Sequence, residues 1–345
     1  MKIVHFESGL GNQMLNYAEY LAICKNNKDV FAEKLIYETL PKGEGISQWN
    51  GYELESVFGL KIPDLSDLVG PSNYEYVRNK LVQSQYWKNE WKYAEPIVNS
   101  LNDLGYNVTN LCERGTKGDK EQYSLLGRIL KTFCFKTAFG NFLYRLIARL
   151  IQNKLISKYS ENLFLVSDGN FYCGQTLKFM YKNQGIELIS SQLKKDFQFR
   201  AIDPKNLEYS KSLLSCESVS IHARRGDFLS RNSYCYKYGY FKRAVNLIRK
   251  KTGKCKLCFV FFCDENSVDW IKKKLKVFGL SESDSIEFVD WNYSDKSYID
   301  LFLMSCCKHN IITQSSFGWW GSWLNRNPNK ITISPDPRIN TTDWI

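Results

Sequence analysis

From Ser218 to Pro335 the chain alternates short apolar runs with helix-patterned stretches, and that cadence limits the fold more than any other feature. VSIHA is followed by a helical pattern around Tyr240–Lys251, and KLCFVFFC by another around Val268–Phe278. IEFVD precedes a helix around Tyr298–Cys307, and NIITQ leads through a tryptophan-rich segment to KITISP. Strands alternating with helices predict a parallel sheet covered on both faces. In such sheets ligands bind outside the carboxyl ends of the strands. Ser218 and Ser220 alternate with Val219 and Ile221, which is the period of a half-buried strand.

The expected strand ends carry the polar residues. Ser218–Phe228 reads SVSIHARRGDF, a strand that stops at two arginines, with Gly226 and Asp227 as turn residues. His222 adds a hydrogen-bonding ring, and Arg224 and Arg225 are permanently charged planar donors that match phosphate geometry. An ordinary basic loop is the alternative for any Arg-Arg pair. Asp264 ends the next strand and can accept from donors on a base such as guanine. Thr313, Gln314, Ser315 and Ser316 end another and open toward a helix, where hydroxyls and N–H groups suit a phosphate. Near the N-terminus, strand KIVHF runs into the loop ESGLGNQ and a helix from about Met14 to Asn26. Gly9 and Gly11 permit a tight turn there, with Asn12 and Gln13 close to the helix start. Met14 breaks the dinucleotide fingerprint, so no nicotinamide or flavin site is expected. The set predicts a nucleotide-diphosphate pocket built without a Walker loop. No Asp-x-Asp pair occurs in the chain, so the arginines would stand in for a divalent ion, and no metal or other cofactor is expected.

A chain of 345 residues has room for two domains. Its 47 basic against 36 acidic residues, a net charge of +11, suit an anionic partner. No nucleic-acid-binding pattern is visible, which leaves a phosphorylated small molecule or an anionic membrane surface. Eleven cysteines, an odd count at irregular spacing, read as free thiols of a reducing cytoplasm. Cys255-x-x-Cys258 overlaps an apolar strand and reads as core or edge cysteines rather than a zinc site. The N-terminus has no apolar signal core and no run approaches a membrane span, so a cytoplasmic protein is expected. Leu125–Lys158 stands apart, with seven Lys/Arg and no Asp or Glu. Leu143, Leu146, Ile147, Leu150 and Ile151 follow helical spacing, with Arg145 and Arg149 on another face. Such a helix can lie on an anionic membrane, here peripherally at its inner face. A core-facing helix with a solvated basic side is the more ordinary outcome.

Three separated segments resemble the α-1,2-fucosyltransferases of glycosyltransferase family 11: GLGNQMLNYA (Gly9–Ala18), HARRGDF (His222–Phe228) and TQSSFGWWGSWLN (Thr313–Asn325). Phe261–Leu275 is similar to that family's Ser-Asp-Asp strand end, and Asp300–Ile312 to the helix leading into its Ser-Ser-Phe-Ser-Trp-Trp motif. The resemblance implies a GT-B-like α/β fold, two Rossmann-like domains with the active site in the cleft between them. The division expected is an N-terminal acceptor-side domain, 1–210, with a long insertion about 59–163, and a C-terminal GDP-sugar-binding domain, 211–345.

The activity implied is inverting, metal-independent transfer of fucose from GDP-fucose to the 2-hydroxyl of a galactoside, in surface polysaccharide synthesis. A lipid-linked acceptor would suit the basic Leu125–Lys158 face. By the same resemblance His222 and Asp264 contact guanine, and Arg224 with Arg225 holds the diphosphate. Ser315 and Ser316 meet phosphate, and Gly11, Asn12 and Gln13 form a loop whose Asn12 faces the reacting centre. Asp227 is a candidate general base, or alternatively the carboxylate that orients the arginines. The chain departs from the family pattern where Phe228 replaces Tyr, Cys263 Ser, Glu265 the second Asp, and Gly318 the Ser before Trp-Trp. Two alternatives stand beside this activity. One is a GDP-sugar transferase of other linkage or donor, and the other a non-enzymatic protein that binds a membrane surface.

Overall fold

The computed structural model describes residues 1–44, 49–110, 125–154, 170–172, 179–226, 229–253 and 256–345. They fall into two compact units. One comprises the described residues of Met1–Gln122, Ser160–Phe179 and Asn183–Arg200, the other those of Tyr123–Tyr159, Met180–Lys182 and Ala201–Ile345. The division falls at Arg200–Ala201 rather than at 210, because the polar stretch around Pro204 is itself a helix, Pro204–Ser215. Asp203 caps it by accepting from the Asn206 amide at 3.0 Å, and Pro204 takes the first helical position, where its missing N–H costs nothing. The helices at 125–150, expected within the N-terminal domain, group with the C-terminal unit.

The N-terminal unit is built on a parallel sheet ordered β2 (Val30–Glu33), β1 (Lys2–His5), β3 (Phe171–Tyr172). His5 ends the central strand in a buried hydrogen bond with Glu33, and Tyr93 stacks on its ring at 3.9 Å. The aromatics scattered through the middle of the sequence form much of this core. Tyr86, fully buried, meets Trp87, Trp91 and Tyr93 edge-on.

The C-terminal unit carries six parallel strands: β4 (Ser218–Ala223), β5 (Cys258–Cys263), β6 (Ser285–Val289), β7 (His309–Ile311), β8 (Thr332–Ser334) and β9 (Asp343–Trp344). Their order is β6-β5-β4-β7-β8-β9. The first strand lies in the middle, the next two extend one way and the last three the other. This is the Rossmann order, and it puts a topological switch point between β4 and β7. One layer of helices packs through Phe241 and Phe278, whose rings lie 4.7 Å apart, with Phe261 of β5 beneath them. Trp319 and Trp320 are also fully buried, in contact at 4.7 Å, so the Trp-Trp pair is core and not a sugar platform.

β4 is buried along its whole length instead of presenting its serines to water. The serines are satisfied internally: the Ser218 hydroxyl donates to the Leu213 carbonyl at 2.7 Å, and Ser220 accepts from the Asn310 amide at 2.7 Å. Asn310 accepts in turn from Asn325 at 2.7 Å, and the same Asn325 amide reaches the Cys307 carbonyl at 2.7 Å. Removing such a donor leaves buried acceptors unpaired. Asn325→Ala should therefore destabilise the protein by roughly 1–3 kcal/mol, read as a lower midpoint in urea unfolding.

Candidate functional site

The switch point concentrates the chemistry of the C-terminal unit. His222 is the penultimate residue of β4 and is buried, its ring 5.9 Å from that of Phe317 in the first turn of the Ser316–Leu324 helix. Burial pushes its pKa down to about 4, and the neighbouring Arg224 charge acts in the same direction. His222 is thus a neutral imidazole at physiological pH. Its Nδ1 is buried and has no hydrogen-bond partner among the described residues. The fully buried Thr313 hydroxyl, at the end of β7, likewise has none.

Ser315 is the N-cap residue of the adjoining helix, yet its hydroxyl does not cap it. The field at a helix start favours an anion. Ser316, Arg224 and Asp264 stand at the same strand ends. Gln314 turns aside, donating at 3.2 Å to Asp336, which Arg338 holds through paired bonds.

Gly318 decides how close His222 can come. A Cβ at this position would lie 2.3 Å from the imidazole Nδ1, so any side chain forces the ring away. The serine expected from the family pattern is incompatible with this placement of His222.

The two adjacent arginines part company. Arg224 lies beside His222, close enough to depress its pKa. Arg225 lays its guanidinium on the Trp270 ring, 3.7 Å from the centroid, with Tyr236 at 5.8 Å. A cavity of about 490 Å³ opens there, lined by Arg225, Leu229, Ser233, Tyr236, Lys237 and Trp270. The pair does not act as one two-pronged clamp. Asp264 also has a task within the loop: its Oδ2 accepts from the Arg225 and Gly226 amides at 2.8 and 2.7 Å. Asp227 and Phe228 lie outside the described residues, as does Cys255.

Asp300 is a buried carboxyl that the motifs alone did not single out. Burial pushes its carboxyl up to about 8, although Asn292 donates to it at 3.0 Å. It lies near Cys263 at the end of β5, whose thiol is raised to about 12, first by burial and then by Asp264, Asp300 and Asp290. The signal was present as the lone charge heading the otherwise apolar helix Tyr298–Cys306. Asn292 and Trp291 tie this corner to Asn206 by bonds of 3.0–3.1 Å. All eight described cysteines are free, and among the described residues no group of three or more His, Cys, Asp or Glu is arranged to hold a metal ion.

In the N-terminal unit the helix after β1 begins at Leu10, so Gly11, Asn12 and Gln13 occupy its first turn rather than a loop. Gln13 is fully buried and braces the chain. It donates to the Ser8 and Gly51 carbonyls at 2.9 and 2.8 Å and accepts from the Glu53 amide at 2.8 Å. Both its donors are committed, so Gln13 positions the turn instead of reaching for a ligand. Asn12 alone of the three is half-exposed. Ser8 holds a left-handed conformation, φ 69°, secured at its carbonyl by Gln13 and by the Tyr37 hydroxyl at 2.9 Å. Backbone strain of this kind tends to be kept where function requires it.

Two measurements test this geometry. Gly318→Ala should push the His222 ring aside and destabilise the protein by about 1–3 kcal/mol, the cost of a lost buried contact, read as a lower urea-unfolding midpoint; unchanged His222 ring signals in NMR would show that the ring is not displaced. Arg225→Ala should alter Trp270 fluorescence and lower the melting temperature, because a cation on an aromatic face contributes about 0.5–2 kcal/mol.

Residues 189–340 match the model of glycosyl transferase family 11. An α-1,2-colitosyltransferase of Escherichia coli is 34% identical over 136 residues, 38% of this chain and 44% of that relative. The O-antigen biosynthesis glycosyltransferase WbnK of Escherichia coli is 32% identical over 127 residues, 35% of this chain and 39% of WbnK. The matched stretches thus span less than half of either relative. Among solved structures, the NodZ α-1,6-fucosyltransferase co-crystallised with GDP aligns over 92% of this chain and 90% of its own, with 11% identity and a TM-score of 0.41. The likeness to glycosyl transferase family 11 thus rests on residues 189–340, less than half of the chain.

Proposed function

We propose that this chain is an inverting glycosyltransferase that moves fucose from GDP-fucose to the 2-hydroxyl of a galactoside, without a metal ion. The observation that carries this reading is the pairing, at one switch point, of a buried neutral histidine with an uncapped helix start. The diphosphate rests on the first-turn N–H groups of the Ser316–Leu324 helix, with Ser315 and Ser316 beside it. Arg224 neutralises the charge that grows on the leaving group, a stabilisation that rises toward the transition state. The base lies toward His222, with Asp264 and Asp300 at the neighbouring strand end to receive its donors.

The bond between the anomeric carbon and phosphate oxygen breaks as the acceptor oxygen approaches from the opposite face. The acceptor proton passes to Asp227 or to the leaving diphosphate, and Asn12 of the N-terminal unit assists at the acceptor. A colitosyl donor is the second reading, favoured by the α-1,2-colitosyltransferase relative. The name of the other relative supports an acceptor within a growing O-antigen; that this acceptor is lipid-linked and handled in the cytoplasm is part of the same proposal.

A transfer assay on terminal galactosides, run with GDP-fucose, GDP-mannose, UDP-sugars and a colitosyl donor, tests the proposal. GDP-fucose should be the preferred donor, and activity should persist in EDTA. Arg224→Ala should lower kcat/KM by about 10²–10³-fold, as removal of one oxyanion donor does. Loss of activity in EDTA would refute the metal-free route, and a preference for the colitosyl donor would establish the second reading.

A further inference from the structure

The two helices Leu125–Lys136 and Ala138–Leu150 form a hairpin whose amphipathic order is inverted. The turn between them is tight, with the Thr137 hydroxyl accepting from the Gly140 amide at 3.0 Å. A Cβ on Gly140 would sit 2.2 Å from the Phe133 carbonyl oxygen, so only glycine lets the helices approach this closely. The face turned toward the rest of the C-terminal unit is narrow and mixed in character. Asn141 and Ala148 are buried, Arg145 is half-buried beside Arg243, and Phe135 reaches in to pack on Tyr234 at 5.4 Å.

The apolar stripe expected to face a core points outward instead. Phe139, Phe142, Leu146 and Leu150 recur at helical spacing on one side, Phe139 at 65% and Leu150 at 81% exposure, and Ile129 and Leu130 continue the patch onto the first helix. Of the fourteen exposed large apolar residues described, nine lie on Ile129–Ile151. A helix stabilised by water would turn such a stripe inward.

Charge identifies what covers the stripe. Lys136, Arg149 and Lys154 are exposed around it, and Leu125–Lys158 contains no acidic residue. No described helix is long and apolar enough to cross a membrane, and helices of 12 and 13 residues reach only about 18–20 Å. An apolar face with a cationic rim on short helices fits the headgroup–acyl boundary of an anionic bilayer. We infer that this hairpin seats the protein on the surface of an anionic phospholipid membrane, lying in the interface plane with Phe139, Phe142, Leu146 and Leu150 toward the acyl chains.

Co-sedimentation of the intact chain with phosphatidylglycerol/phosphatidylcholine vesicles and with pure phosphatidylcholine vesicles tests this. The protein should bind the anionic vesicles, weaken as salt rises, and bind the neutral ones little. Leu146→Gln and Leu150→Gln should each lower the partition coefficient roughly tenfold, from lost apolar burial alone. Arg149→Glu should act mainly at low salt. Because Leu146 and Leu150 are exposed, the melting temperatures of the two leucine variants should stay unchanged, which separates lost binding from lost folding. Equal binding to neutral vesicles, or full binding by the leucine variants, would overturn the inference. So would a wild-type dimer that these variants convert to monomer, since the face would then belong to a second copy of the chain. None of these outcomes depends on which sugar is transferred.

Discussion

A strand buried along its whole length tolerates polar residues only where each finds a partner inside the protein, and β4 carries two serines, Ser218 at its start and Ser220 within it. Their partners come from elsewhere in the unit. Leu213 closes the preceding helix over Ser218, and Asn310 of β7 closes over Ser220. The second contact helps lock β7 beside β4 and so fixes where the strand order reverses. His222 lies in that same strand, and Gly318 in the helix that follows β7 is the surface it rests on. Buried polar satisfaction thereby determines the geometry of the half-site. Each member of the chain Ser220–Asn310–Asn325 depends on the next.

The divergence of Arg224 and Arg225 follows from the same strand. Neighbouring residues at a strand end project to opposite sides. One guanidinium therefore stays with His222 while the other lies on Trp270. Positive potential at the half-site then comes from Arg224 and from the start of the Ser316–Leu324 helix, whereas the imidazole adds a neutral, directional contact. The Arg225 side chain is an anchor for the turn whose amides Asp264 gathers. An arginine-to-lysine exchange would differ in kind at the two positions, since only a planar guanidinium stacks on indole.

The parallel sheet of the C-terminal unit was legible because period and spacing report it directly, and the strands around VSIHA, CFVFFC and IEFV fall where the pattern puts them. His222 lies near the end of β4 and Ser315 takes the N-cap position of the helix that follows β7, where the strand ends were expected to carry polar residues. What was hidden depends on partners distant in sequence. Ser218 and Ser220 alternate like a surface strand because nothing nearby reveals Asn310. Gln13 has the look of a ligand residue until Gly51 and Glu53 are seen to occupy its amide. The helix Leu229–Lys237 lacks strong periodicity and went unrecognised. For the hairpin, periodicity marked Leu146, Ile147, Leu150 and Ile151 as apolar and left open whether a core or a membrane surface meets them, because a hydrophobic pattern records a face and not which medium it meets.

The junction of β4 with β7 also bears on how the chain reaches this fold. Ser220 and Asn310 are 90 positions apart, and a parallel pairing at such separation carries a loop-closure cost before any contact repays it. β5 and β6, with their helices, must be accommodated on one side before the order can reverse on the other. The crevice beside His222 is therefore absent from every partly assembled sheet and appears only with the closing of this long-range pair. A ligand held beside His222 would tie together one of the long-range contacts on which the sheet depends, and so act on the lifetime of the folded state.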